Sequence, residues 1–550
     1  MDGTESGAGL LEDDADVAVM SRGERVWVGV PEPAAPSLEE SLLGKGVPEP
    51  PQEDLGLLVA SAKTVAEKPA GAREAAATLA VLAVIVVALP AAVLVLPDTS
   101  ANVIEQAGRA LGLGPDGYAG FLRATGMSVP VLLGAVPVGA VAARRFGARP
   151  VLLAGVALLL AGLLAVGRAD SVLMVGLVRA VQGLGAGLIL PATLVLAWER
   201  GGRLASALWS GVLVASLVGA MPLVLARVPL PDGTPVPEHV TDWRDSLAPF
   251  PWCAAAVACV LPLCLLVRGR RGRLPASRHT ERGQLVLPLA PAAGFAFLAV
   301  VTTYGWSPGG RLTLAMLALL GLAGLALVGS RDATAGSPLG AAVVMVTTGL
   351  LAYPVAAPLA GIIAVAARNG HGTSQATYVP FAVGAAAALA GALTAAWLPR
   401  HTARVAVLAG HAMLVLATLP PLFASAAHIP DSAHIPAVAT ASMAALGAGA
   451  GLALATSLRE AGVVGALFGL SLCFPAVLIG QLVVLSLQAG WLQPAPTTAA
   501  AQLVALTGGY RAWLAAAAVL TVLLAAAGRA ATRGRARPRG NRSRARASVQ

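Results

Sequence analysis

Residues 177–191 read LVRAVQGLGAGLILP, and this stretch decides what kind of protein the chain becomes. Arg179 and Gln182 interrupt an apolar run from 172 to 197, long enough for a helix to cross the roughly 30 Å hydrocarbon core of a bilayer. A guanidinium inside such a helix costs at least a few kcal/mol when it faces lipid, so Arg179 is expected to face an aqueous cavity or a protein partner. Gly183, Gly185 and Gly187 then remove side chains where a neighbouring helix would press, as small residues do in membranes.

Outward from that stretch the pattern repeats. Thirteen further apolar runs, bounded by charge or by Pro and Gly clusters, cover approximately 76–97, 119–141, 150–167, 204–226, 250–267, 285–304, 312–329, 340–365, 377–398, 404–423, 436–457, 462–487 and 510–528, giving fourteen predicted spans. Helices are expected, because a spanning strand is about 10 residues of strict alternation and these runs show none. The 550 residues are 57% hydrophobic and 12% charged. Soluble domains hold about 45–50% apolar and about 25% charged residues, so an ordinary soluble enzyme is excluded.

Charge is polarised along the chain. The first 74 residues hold 15 carboxylates and 6 cations, whereas residues 529–550 hold 8 arginines and no acid. The N-terminal segment, with PEPAAP at 31–36 and PEPPQED at 48–54, lacks sustained apolar periodicity and reads as a disordered tail. Its acidic opening is unlike a cleaved signal peptide. Loops after the even-numbered spans carry Arg144, Arg145, Arg149, Arg200, Arg203, Arg268, Arg270, Arg271, Arg273, Arg278, Arg282, Arg331, Arg400, Arg404 and Arg459, against seven arginines in and beside the opposite loops. Positive loops stay inside, so both termini are expected in the cytoplasm of a plasma (cell inner) membrane protein. The arginine tail is expected to contact anionic lipid, with no nucleic-acid partner. Cys253, Cys259, Cys264 and Cys473 all lie in apolar runs and read as packing residues.

On these residues the chain resembles the major facilitator superfamily, and within it the fourteen-span drug:proton antiporters. VRAVQGLGAG in the fourth span is similar to the Arg-x-x-Gln-Gly-x-Gly signature of the superfamily. GAVAARRFGARPVLLAG at 139–155 resembles its cytoplasmic loop signature, retaining Gly139, Arg144, Gly147 and Arg149, with Ala143 where the family has an aspartate that steadies one conformation. Asp98 and Thr99 resemble the family's Leu-Asp-x-Thr stretch, and DWR at 242–244 its approach to the sixth span. Ser216 stands where the antiporter signature of the fifth span has proline, and WLPRHTARVAVLAG at 397–410 reads as a decayed second copy of the loop. The resemblance implies an all-α major-facilitator-type fold: a six-helix bundle over 75–268, a linker with two inserted helices over 269–338, and a second bundle over 339–528.

That fold implies a secondary transporter, with proton-linked efflux of a small amphipathic substrate by alternating access. A scaffold or sensor that has lost transport is the competing reading, and a monomer without resident cofactor or metal is expected. Arg179, Gln182, Asp98 and His411 are the transport and coupling candidates, with Gly139, Arg144, Gly147 and Arg149 as the conformational loop. Asp98 reads either as a cavity carboxylate or as a helix-end residue, and His411 either as a proton relay or as a hydrogen-bonding residue between helices. Trp209, Gln375, Tyr378 and Gln481 are further lining candidates. His428, Asp431 and His434 in AHIPDSAHIP offer metal-ligand types, but a small tandem duplication explains their spacing. Few aromatics, with positive character from Arg179 and His411, favour neutral or anionic substrates.

Overall fold

Alanine and leucine dominate the apolar runs; both are strong helix formers, and a helix satisfies its own backbone where no water is present. The computed structural model describes residues 70–199, 202–230, 242–266, 274, 279–331, 338–369, 378–423 and 434–535. Their long elements are α1 (Ala70–Val93), α2 (Ile104–Leu111), α3 (Pro115–Thr125), α4 (Ser128–Phe146), α5 (Ala148–Ala165), α6 (Val172–Glu199), α7 (Arg203–Arg227) and α8 (Pro251–Leu266). There follow α9 (His279–Val286), α10 (Leu289–Val301), α11 (Pro308–Arg331), α12 (Pro338–Asn369), α13 (Val379–Trp397), α14 (Ala403–Phe423), α15 (His434–Glu460), α16 (Val463–Leu492) and α17 (Ala499–Arg535).

Among the described residues, thirteen helical segments are long and apolar enough to cross a bilayer, so the chain is an all-α polytopic membrane protein. One expected span differs in form. The second is two helices, α3 and α4, broken at Gly126 and Met127 because a side chain from α6 captures the last carbonyl of α3. The sixth, expected over 250–267, is α8. The expected boundary at 74 falls within α1, which begins at Ala70.

Consecutive spans alternate in direction, so the start of α1 and the end of α17 define a tail side, and the end of α1 a far side. Six helix pairings recur in the two halves. In the first half α6 packs on α4, α5 and α1, while α1 also packs on α7 and α8, and α5 on α8. In the second half α15 packs on α13, α14 and α12, while α12 also packs on α16 and α17, and α14 on α17. The halves meet through α7 against α13 and α15, and through α4 and α6 against α16.

Glycine makes the repeat visible at atomic scale. In α6 a Cβ on Gly183 would lie 2.2 Å from the Ser128 carbonyl oxygen, and one on Gly187 2.5 Å from the Ala135 Cβ, both of α4. Gly185, half a turn round, faces α5, 2.7 Å from the Gly155 carbonyl oxygen. In α15, Gly447 and Gly451 face α13 at 2.0 and 2.2 Å from the carbonyl oxygens of Gly384 and Ala388, and Gly449 faces α14 at 2.7 Å from that of Gly410. GLGAGLIL at 183–190 and GAGAGLAL at 447–454 are therefore two copies of one packing motif.

The inserted helices straddle the seam. α9 and α10 pack on both α4 and α16, while α11 packs on α16 and α12. The Gln284 side-chain amide donates to the Gly329 carbonyl at 3.0 Å, joining α9 to α11 on the tail side. On the far side the Arg123 guanidinium stacks over the Tyr304 ring at 4.7 Å.

Candidate functional site

Arg179 is 3% exposed and, among the described residues, makes no ion pair. Its Nε donates to the Thr125 carbonyl at 2.8 Å, its Nη2 to the Val95 carbonyl at 3.1 Å and the Pro97 carbonyl at 3.4 Å, and its Nη1 to Gln182 Oε1 at 3.2 Å. Val95 and Pro97 follow the end of α1 and Thr125 ends α3, so the charge sits where two helices leave carbonyls unpaired and where their dipoles are negative. The planar fork suits several carbonyls at fixed angles. Gln182 passes the linkage on, its Nε2 donating to the Leu247 carbonyl at 3.2 Å. Leu247 follows the short turn Trp243–Ser246, in which Trp243 is buried edge-on against Phe121 at 5.7 Å. The Arg179 signature therefore ties four segments of the first half together on its far side.

Asp98 sits on the other face of this knot. Its Oδ1 accepts from the Ser100 backbone N–H and its Oδ2 from the Thr125 hydroxyl, both at 2.9 Å. The carboxylate is exposed and lines a cavity of about 430 Å³ between the two halves. Leu132 and Leu133 of α4, Tyr353 and Pro358 of α12, and Phe474 of α16 form the buried wall, and Gln481 and Gln488 add the amides. Asp98 lies beyond the end of α1 and on the cavity wall. Among the described residues, it is the only charged side chain on that wall.

Two expected sources of positive charge lie elsewhere. Arg179 is turned onto carbonyls behind Asp98, beside a hollow of about 30 Å³. His411 is 4% exposed in α14, in a separate tail-side pocket against α12, α15 and α17. Neither adds positive charge to the cavity wall, which is apolar with one carboxylate. Trp209, also a lining candidate, is fully buried and donates from Nε1 to the Thr193 hydroxyl at 3.1 Å. Tyr378 is half-buried at the start of α13, Gln481 is on the wall, and Gln375, His428 and Asp431 lie outside the described residues. Tyr353, Pro358 and Gln488 were missed, because a lone tyrosine, proline or glutamine in an apolar run carries no distinguishing spacing.

The cavity is shut on the tail side. Ala207 of α7 packs with Ala392 and Ala395 of α13 and Ala455 of α15. A Cβ on Gly211 would lie 3.0 Å from the Ala392 Cβ. Arg459 at the end of α15 clamps α13, donating to the carbonyls of Ala395 and, at 3.0 Å, Leu398. The conformational-loop residues lie on the same side. Gly139 lets α4 approach α6, where a Cβ would lie 2.8 Å from Pro191 Cγ. Gly147 has φ +96°, a value that favours glycine, and turns the chain from α4 into α5. Arg144 and Arg145 line a hollow with Glu199 and Arg282, next to the buried Ala143; Arg149 is half-buried at the start of α5.

A polytopic α-helical membrane protein, with two similarly paired six-helix halves around a one-sided cavity, is what this fold and site define. No protein-family profile matches the chain, and no curated protein matches it. Among solved structures it is similar to the human organic anion transporter MFSD10 (TETRAN), with TM-score 0.48 and 15% identity over 82% of this chain and 99% of that one. It is also similar to the major facilitator superfamily proton:xylose symporter XylE, with TM-score 0.46 and 14% identity over 83% and 95%. A bacterial homologue of the human drug peptide transporters PepT1 and PepT2 gives TM-score 0.48 and 15% identity over 84% and 99%.

Proposed function

We propose that this chain is a secondary transporter of the major facilitator type, which exports a small amphipathic molecule across the plasma membrane by alternating access, in exchange for protons. The observation that carries the reading is the cavity between two similarly paired halves, sealed by small residues on the tail side and bearing one carboxylate. Rocking of the halves about a fixed site would open the seam of α4, α7, α13 and α16 to one side at a time. Both termini face the cytoplasm, and the cavity as described faces outward.

Asp98 is the coupling group of this proposal. Ionised, it gives the wall a single negative charge; protonated, it leaves the wall neutral, so proton and cation compete for one site. Neutral and singly cationic amphipaths are therefore the substrate class. Thr125 ties the exchange to the helices, since its hydroxyl holds Asp98 and its carbonyl accepts from Arg179. The purified full chain in proteoliposomes, given an imposed pH gradient and a panel of anionic, neutral, monocationic and dicationic dyes, tests the reading. Gradient-driven flux of a neutral or monocationic dye, abolished in Asp98→Asn, is expected. Absence of flux for every dye favours the scaffold reading, for which Ala143 in place of the family's acid is the supporting observation. Flux that survives Asp98→Asn unchanged overturns the coupling role.

A further inference from the structure

Around Asp98 the hydrogen bonds converge on one atom. The Thr125 hydroxyl oxygen lies 2.9 Å from Asp98 Oδ2, 2.8 Å from the Ser100 hydroxyl and 3.0 Å from the Leu122 carbonyl. Thr125 is fully buried at the end of α3, and Ser100 is buried in the short turn Ser100–Val103 that follows Asp98. The Thr125 hydroxyl has one proton to give to these partners and two lone pairs with which to accept. Leu122 can only accept, Ser100 can donate or accept, and Asp98 accepts when ionised but donates from one oxygen when protonated.

Each charge state of Asp98 has one complete arrangement of these protons. With the carboxylate ionised, Ser100 donates to Thr125 and Thr125 donates to Oδ2, while the Ser100 backbone N–H holds Oδ1. With a proton on Oδ2, that oxygen donates to Thr125, the Thr125 hydroxyl turns to the Leu122 carbonyl, and the bond from Ser100 stays in place. No heavy atom has to move, and no buried hydroxyl loses its partner, a loss that would oppose the exchange. The Leu122 carbonyl also accepts the Gly126 N–H at 3.2 Å, at the break between α3 and α4, and Arg179 holds the Thr125 carbonyl three residues further on. The charge on Asp98 is thereby passed to the break.

We infer that the Thr125 hydroxyl is a two-position switch for the proton of Asp98, and that Ser100 is a positioning residue that biases it toward the ionised acid; this rests on Asp98 as the coupling group. Ser100 polarises the Thr125 O–H and strengthens its donation to the carboxylate. Once the acid is protonated, the same Ser100 proton competes with Asp98 for the Thr125 oxygen. Both hydroxyls therefore favour the charged form. Arg179 of α6 and Tyr353 of α12 also act on Asp98 electrostatically, while nearby Arg227 pairs with Asp245 and Arg244 with Asp242. Substitutions at Ser100 and Thr125 leave all of these groups in place.

Infrared difference spectra of the purified full chain in lipid, titrated with pH, test the switch without any flux. The protonated-carboxyl band that Asp98→Asn removes reports the acid. Thr125→Val, which keeps the shape and the backbone carbonyl, is expected to move its midpoint to higher pH by about one unit or more, and Thr125→Ser to restore it. Ser100→Ala is expected to move it the same way by a few tenths of a unit, and to add nothing in a Thr125→Val background, because Ser100 acts through Thr125. The band itself is expected to rise in frequency in Thr125→Val, where the acid has lost its acceptor. An unchanged midpoint in Thr125→Val, or additive shifts in the double variant, would overturn the switch; an unchanged band frequency would overturn the reversal. Absence of any band that Asp98→Asn removes would overturn the switch and the coupling role together. The shifts without flux would leave the switch standing and sink the transport reading alone, whereas Asp98-dependent flux without the shifts would sink only the switch.

Discussion

Arg179 is the residue whose presence the sequence announced most clearly and whose surroundings it left open. An arginine in an apolar helix must be compensated, and the choice between a cavity and a partner depends on where other segments place their carbonyls, which spacing within one helix does not reveal. The ends of α1 and α3 supply them. Removing the side chain leaves those carbonyls without donors in a buried site, so Arg179→Ala is expected to lower stability by roughly 3 kcal/mol or more, measured by denaturation of the detergent-purified chain. Arg179→Lys keeps the charge without the planar fork, and is expected to fold with strongly reduced transport. An Arg179→Ala protein as stable and active as the parent would show that the knot of carbonyls forms without it. His411 shows the opposite limit: its burial was legible from the apolar run, but the face of α14 it occupies follows from packing against α12, α15 and α17.

Among the elements, the apolar runs gave the spans, because a bilayer selects on length and composition alone. They did not reveal the break between α3 and α4, since the capture of Thr125 by Arg179 joins residues 54 apart. The duplication is also legible, in two stretches with glycine at alternate positions, although the second copy carries no charge to mark it, since Met443 stands in the place of Arg179. Helix association in lipid relies on close packing and small residues, so these glycines carry much of the contact between neighbours. Gly447→Ala and Gly183→Ala place a methyl group against backbone oxygens at 2.0 and 2.2 Å. Each is expected to destabilise its half by about 1–3 kcal/mol. Gly324→Ala in α11, with nothing within 4 Å, is expected to be neutral or slightly stabilising. Thermal unfolding of the three variants side by side checks this, and equal midpoints would remove the close-packing argument.

For the molecule as a whole, orientation rests on the arginine asymmetry. Tags at residues 1, 275 and 550 are expected to be protected in intact cells and tags near 235 and 430 accessible; labelling at 275 without lysis would invert the chain. Direction of opening was not legible at all, because a sequence holds both states of an alternating-access cycle and only packing distinguishes them. Here the tail side is closed where α7 meets α13, and the far side holds the cavity. If the halves rock, that closed contact must separate once in each cycle, and a covalent link across it must stop the cycle. A Cβ at position 211 would lie 3.0 Å from that of Ala392, a few tenths of an ångström inside the usual range of about 3.5–4.5 Å between disulfide-bonded Cβ atoms. Gly211→Cys with Ala392→Cys, made with Cys253, Cys259, Cys264 and Cys473 replaced by alanine or serine, is therefore expected to crosslink under mild oxidation. Flux in proteoliposomes should fall to background on oxidation and return on reduction, while dye binding from the far side persists. A complete crosslink with undiminished flux would mean that the contact between α7 and α13 never opens, and that substrate crosses by a route other than the seam between the halves.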